Sequence, residues 1–335
     1  MQRAPHPVTL SDVEQAAGRI AGRIARTPYI LSASLAERCG VQVGLKLEHH
    51  QITGSFKLRG ATNAVLSLSP EMRARGVVAA STGNHGRALA HAAKAEGAVA
   101  TICMSSLVPE NKVSEIRRLG ANVRIIGRSQ DEAQVEVDRL IAEDGLVMVP
   151  PFDDPAIVAG QGTLGLEIVD AMPNVATVLV PLSGGGLAAG VAAAIKGRSP
   201  KTRVIGLTMT RGAAMKASLD AGYPVQVEEV ESLADSLGGG IGLDNKITFA
   251  MCRDLLDDVL LLSEDEIAAG MRHAYAEERE IVEGAAAVGI GALLSRRLDR
   301  LDGPVAVILS GRNVDMGLHL RVLNAEPHPL REAAA

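Results

Sequence analysis

Short apolar runs alternate with helical patterns along almost the whole chain. The runs 43–47, 77–80, 98–104, 123–126, 147–149, 177–181, 204–208 and 305–309 are rich in β-branched residues and bounded by turn residues, so they predict strands. Between them, apolar residues recur at intervals of three and four. That spacing predicts helices over 11–24, 55–68, 85–96, 110–119, 130–143, 160–172 and 187–196. Ser11 with Glu14, and Ser263 with Glu266, read as capping boxes, and Ser55 reads as the cap of its helix. Alternation of this kind implies an α/β molecule with open, mostly parallel twisted sheets and helices on both faces. Ligands of such folds sit at the carboxyl ends of strands, where this sequence concentrates Gly, Ser and Asn. The tail after Arg321 is expected to fray and to carry no function.

Composition narrows the classes. The 335 residues suit two ordinary domains or one large α/β unit. A net charge of −5 offers no basic face, so nucleic acid is not an expected partner. With 3 Phe, 3 Tyr and no Trp, the chain lacks material for base-stacking platforms. Cys39, Cys103 and Cys252 have no CxxC spacing, which argues against a disulfide scaffold and fits a reducing cytoplasm. No apolar run reaches the ~20 residues of a membrane span, and the N-terminus lacks the apolar stretch of a signal peptide. A cytoplasmic protein with no membrane partner is expected. His49–His50 has no partner at ligand spacing, and His85 and His91 are too far apart, so no metal site is expected. The glutamate-rich runs 228–231 and 277–280 read as solvated faces. There is no GxSxG elbow for a hydrolase.

Three strand-to-helix junctions are candidates for chemistry. Ser183-Gly184-Gly185-Gly186 lets several backbone N–H groups converge at a helix start, which suits a phosphate; a tight packing turn is the alternative. Gly184, Gly186 and Gly190 also approximate a dinucleotide fingerprint. The following strand ends without an acid, but Arg211 could accept a 2′-phosphate, so an NADP-binding oxidoreductase stays open. Lys57, beside Phe56 in Gly54-Ser55-Phe56-Lys57-Leu58-Arg59-Gly60, sits in the first turn of a helix, against the dipole. Desolvation there would lower its pKa, as a Schiff-base lysine requires, and the flat Phe56 ring suits a flat cofactor. Ser81-Thr82-Gly83-Asn84-His85-Gly86 offers N–H groups and hydroxyls for a carboxylate, and Asn84 could bond a phenolic oxygen; an Asx-type cap is the alternative.

Together, in this order, SFKLRGA, STGNHG, SGGGL and LSGRN resemble the threonine dehydratase and serine racemase family of pyridoxal-phosphate enzymes, the tryptophan-synthase-β type (fold type II). The likeness runs from about Val8 to Leu323. It implies a two-domain molecule, with 1–75 and 151–325 forming a large cofactor-binding domain and 76–150 a small domain carrying the asparagine loop. It implies pyridoxal 5′-phosphate as cofactor, with Lys57 as the Schiff-base lysine and Asn84 against the cofactor's 3′-oxygen. Ser183, Gly184, Gly185, Gly186 and Leu187 would hold the phosphate, and Ser310 would meet the pyridine nitrogen. Phe56 would border the cofactor, and Ser81, Thr82, Gly83, Asn84 and His85 would take the substrate carboxylate. Catalysis would fall to Lys57, Thr82 and Ser310. The implied activity is α,β-elimination of water from a β-hydroxy amino acid, by a homodimer. Within the family the chain is similar to the hydroxyectoine utilisation dehydratases, so hydroxyectoine or 3-hydroxyaspartate catabolism is a possible setting. An amino-acid racemase on the same scaffold is the other alternative. Three departures stand out. Arg312 replaces the second Gly of the family's SGGN. Thr82 lies where serine racemases place a serine. Thr208 replaces an acid that binds a cation in some members. No C-terminal regulatory domain is expected, and so no isoleucine feedback.

Overall fold

The computed structural model describes residues 6–81, 83–108, 110–298 and 300–325. Two sheets organise them. The larger contains β1 (Tyr29–Leu31), β2 (Val43–Lys46), β7 (Thr177–Pro181), β8 (Arg203–Met209), β9 (Asp258–Leu262) and β10 (Val305–Ile308), in the order β1-β2-β10-β7-β8-β9. The smaller contains β3 (Val77–Ala80), β4 (Ala100–Met104), β5 (Asn122–Ile125) and β6 (Val147–Met148), in the order β5-β4-β3-β6. Every pairing is parallel except the β1–β2 edge.

Period-two alternation explains why both faces are covered. On the large sheet Val178, Val180, Ala306 and Ile308 join one apolar cluster, while Leu179, Val305, Val307 and Leu309 join another on the opposite face. The small sheet does the same, with Val77 and Ala79 on one side and Val78 on the other. The helices that cover them are α1 (Leu10–Ile20), α2 (Ala33–Cys39), α3 (Lys57–Ser67), α4 (Pro70–Arg75), α5 (Asn84–Ala95), α6 (Glu110–Arg118) and α7 (Gln130–Asp144). They continue with α8 (Pro155–Ala171), α9 (Gly186–Arg198), α10 (Ala214–Ala221), α11 (Thr248–Leu255), α12 (Glu264–Ala276), α13 (Gly284–Leu294) and α14 (Met316–Leu323). Among the described residues no helix is long and apolar enough to cross a membrane.

Helix starts differ from the sequence expectation where a competing contact wins. The first capping box is Thr9 with Asp12, not Ser11 with Glu14; Ser11 lies inside the first turn, where its hydroxyl accepts from Gln15. That helix ends at Ile20, well before 24, and the chain turns at Gly22. Ser55 does not cap α3. Its backbone forms a bridge to Gly311, its buried hydroxyl meets no partner among the described residues, and the helix starts at Lys57. Helix α8 begins at Pro155, where Asp154 accepts from Ala156 and Ile157, not at 160. The second capping box, Ser263 with Glu266, is present. The chain does not fray at Arg321: α14 reaches Leu323, and Val322 is buried in the core. Residues 326–335 lie outside the described ones.

Helix α3 is set against α8 at two glycines. A Cβ on Gly160 would lie 2.7 Å from Gly60 Cα, so the two backbones touch. Beside that contact a buried charge network locks the pair. Arg59, 0% exposed, donates to both oxygens of Glu48 at 2.7 and 2.8 Å and to Glu167 of α8 at 2.7 and 3.0 Å. Lys46 closes the network on Glu167 at 2.6 Å. Buried charges are tolerable only when paired this fully.

Candidate active site

The end of β7 delivers the loop 183–186. Gly185 takes φ +90°, a left-handed conformation that a side chain resists, and α9 starts at the next residue. Gly184 to Leu187 are buried, yet among the described residues the N–H groups of Ser183 to Leu187 meet no protein acceptor. Buried orphan donors are rare, and several at one helix N-terminus form an anion site. The loop is braced from behind. Thr248 Oγ1 donates to the Gly184 carbonyl at 2.7 Å, and Asp153 holds the Thr248 N–H at 2.8 Å. A Cβ on Gly184 would meet the Phe152 ring at 2.4 Å, and one on Gly185 would meet Met215 at 2.8 Å. The cradle therefore needs glycine for space as well as for conformation.

Lys57 opens α3 and reaches across to this loop's support. Its Nζ donates to the Pro151 carbonyl at 2.7 Å, one residue before Phe152, and lies 5.4 Å from the Phe56 ring centre. Burial pushes its pKa down to about 8, and the Glu283 charge offsets only part of that. Phe56 itself packs on the core, and its N–H donates to the Ser310 carbonyl at 3.0 Å. Ser310, 2% exposed at the end of β10, is thereby held next to the lysine's loop.

Asn84 starts α5 at the end of β3. Its Nδ2 donates to both oxygens of Glu283 at 2.9 and 3.2 Å, and its Oδ1 accepts from Asn313 Nδ2 at 2.5 Å. Asn313 also donates its N–H to Glu283 at 3.0 Å. Glu283, 3% exposed, has its pKa pushed up to about 7 by burial and by the Asp235 charge, against the pull of the Asn84 hydrogen bonds. The His85 ring is also buried. Its pKa falls to about 3, through burial first and the Lys57 charge second. Its Nε2 meets the Val149 carbonyl at 2.8 Å, so the neutral ring carries its proton there. Ser81 Oγ accepts from Gly86 N–H at 3.0 Å, and the N–H groups of Gly83, Asn84 and His85 meet no acceptor among the described residues. Thr82 lies outside the described residues.

The contacts form one continuous series. The glycine loop touches Phe152; Pro151 takes Lys57; Phe56 takes Ser310; Asn313, three residues on, takes Asn84 and Glu283. The Glu283, Asn313, Phe152 and Thr248 roles were not visible in the sequence. Glu283 offered one signal, an acid just before the apolar stretch 284–294. Two sequence expectations are corrected. His49–His50 does have a third group, because Glu280 arrives from more than two hundred residues away, beyond any spacing rule. The run 277–280 is not simply a solvated face: Glu278 accepts from Ser32 and Ser34, and Glu280 meets both histidines.

Residues 20–311 match the family model described as pyridoxal-phosphate dependent enzyme. A Sinorhizobium fredii protein, whose threonine dehydratase name is provisional, is 68% identical over 317 residues, 95% of this chain and 96% of the relative. An L-threonine ammonia-lyase of Thermotoga maritima is 40% identical over 317 residues, 95% of this chain and 78% of that protein. Among solved structures, maize serine racemase superposes with a TM-score of 0.90 at 31% identity, covering 96% of this chain and 98% of that one.

Proposed function

The chain belongs to the pyridoxal-phosphate dependent enzyme family and is a lyase using pyridoxal 5′-phosphate, and on that premise we propose that it removes water and then ammonia from L-threonine or L-serine. One observation carries the reading: a buried lysine with a lowered pKa stands beside a cradle of orphan N–H groups at a helix N-terminus. The residues fit the cofactor. The N–H groups of 183–187 would hold its phosphate, Lys57 its aldehyde, Asn84 its phenolic oxygen and Ser310 its ring nitrogen, with Phe56 at the border. When bound, pyridoxal phosphate supplies a carbonyl that condenses with amines and a ring that takes up the electron pair left at Cα.

The chain's own residues then do the rest. The N–H groups of residues 83–85, at the start of α5, hold the substrate carboxylate, with Ser81 and Thr82 completing the loop by position. Freed when the substrate's amine takes its place, Lys57 takes the Cα proton on Nζ, and the burial that lowers its pKa favours the neutral form able to do so. It passes that proton to the β-hydroxyl, the Cβ–O bond breaks, and water leaves. Lys57 regains its link to the aldehyde and so releases the remaining enamine, which tautomerises to an imine and takes up water to give a keto acid and ammonia. Glu283 and Asn313 fix the Asn84 amide from both sides. Ser310, a neutral donor, leaves the ring nitrogen uncharged, which favours prompt loss of the β-substituent.

Substrate choice has one further clue. Arg312 is exposed on the 310–313 loop, with its N–H on the Gly54 carbonyl at 2.9 Å. A guanidinium there suits a second carboxylate, as in 3-hydroxyaspartate or other products of hydroxyectoine breakdown. The reading also includes a cytoplasmic homodimer, testable by light scattering at twice the 34.9 kDa chain mass. Purified enzyme given L-threonine should release 2-oxobutanoate and ammonia in equal amounts. Interconversion of serine enantiomers without keto acid would instead favour a racemase. Arg312→Ala should weaken turnover of the dicarboxylate selectively; equal effects on threonine would remove that substrate from the proposal.

A further inference from the structure

Away from the lysine and its cradle, one cluster unites three metal-ligating side chains among the described residues: His49, His50 and Glu280. One ligand atom from each lies within 4.8 Å of the others. The Nε2 atoms of both histidines stand 2.7 Å from the same carboxylate oxygen, Glu280 Oε2. Their rings meet edge-on, 4.4 Å between centres. A short 3-10 turn, Glu48–His50, aims two consecutive histidines at one point, which neither a helix nor a strand would do. His49 is 1% exposed and anchored through its N–H on the Leu309 carbonyl at 2.9 Å, while His50 opens to solvent.

We propose that His49, His50 and Glu280 bind a divalent transition-metal ion of the zinc class. Two imidazole nitrogens and one carboxylate oxygen are the donor set that such ions select, whereas calcium and magnesium require more oxygens. An ion bound at ~2.0–2.2 Å to each ligand needs the ligand atoms roughly 3.3 Å apart. A small outward shift of the Glu280 carboxylate would open its two 2.7 Å contacts to that spacing. Each Nε2 now donates to Glu280 Oε2, so a bound ion would replace the proton that each carries, leaving the His49 ring proton on Nδ1, which meets no partner among the described residues. The solvent-facing side of His50 provides the entry path and room for a water as fourth ligand.

The position gives the ion a task. His50 lies seven residues before Lys57, and Glu280 three before Glu283. An ion here pins together the two segments that deliver the active-site lysine and the acid behind Asn84. It acts as a clamp and takes no part in the reaction.

Holoenzyme stripped with a chelator and titrated with Zn²⁺ by calorimetry should take up one ion per chain. His50→Ala and Glu280→Gln should each weaken uptake by at least about tenfold. Zn²⁺ should also raise the Tm of the wild type and leave both variants unmoved. His50 is the exposed ligand, so His50→Ala should fold and retain threonine turnover in chelator, and it decides the matter if Glu280→Gln does not fold. Absence of uptake by the wild type, or equal affinity in wild type and His50→Ala, would overturn the proposal.

Discussion

Lys57 and Glu283 are shifted toward their neutral forms by the same cause, burial, and the consequences have opposite signs with pH. Glu283 titrates near 7 in the folded protein, above the ordinary carboxyl. Between about 4.5 and 7 the folded chain holds a proton that the unfolded chain has released, so this group's stabilisation is full below that window and lost as pH rises through it. Lys57 in the cofactor-free chain is depressed to about 8. From about 8 to 10.5 the unfolded chain holds the extra proton, and stability rises with pH there. For function, ionised Glu283 accepts two hydrogen bonds from Asn84 and one from Asn313, and protonation removes an acceptor. The wild-type kcat/KM should therefore fall as pH drops below about 7. Glu283→Gln should lose that limb and run roughly tenfold slower, the worth of one charge-assisted hydrogen bond. A pH–rate profile of the variant that keeps the limb would assign it to another group. Lys57, Asn84 and the glycine loop could be singled out as candidates because they fall at the predicted strand-to-helix junctions, in motifs that occur in one order along the chain. Glu283 was not, since its partner Asn84 lies 199 residues away.

Among the elements, the contact of α3 with α8 does most to place the lysine. Gly160→Val would force side-chain atoms into the Gly60 backbone, where even a Cβ would sit at 2.7 Å. We expect a loss of about 1–3 kcal/mol in urea unfolding, with weaker cofactor retention as α3 moves. Unchanged stability would show that the helices separate freely. The parallel strands of the core were readable because they are short, β-branched and buried on both faces. Edge strands β1 and β9 were not assigned: both are partly exposed, β1 has only three residues, and β9 opens on Asp258. Helix α13 is apolar on every side, so no helical period marks it. The Arg59 network also escaped the sequence, because its partner Glu167 lies 108 residues away and is brought to it only by the fold.

At the scale of the molecule, residues from both sheets meet at one place. The large sheet contributes the 183–186 loop after β7 and Ser310 after β10, and the small sheet contributes Asn84 after β3. The carboxyl-end rule made this location readable in advance; the cross-sheet hydrogen bonds that complete it were not. The central claim is that Lys57 carries the cofactor. The chain offers an instructive competitor in Lys46, also buried, but paired with Glu167 at 2.6 Å and hydrogen-bonded to the Thr27 carbonyl. Reduction of the holoenzyme with borohydride, digestion and peptide mass mapping separates them. The pyridoxyl mass should appear on Lys57 alone and be lost in Lys57→Ala; a label on Lys46 or any other lysine would contradict the assignment.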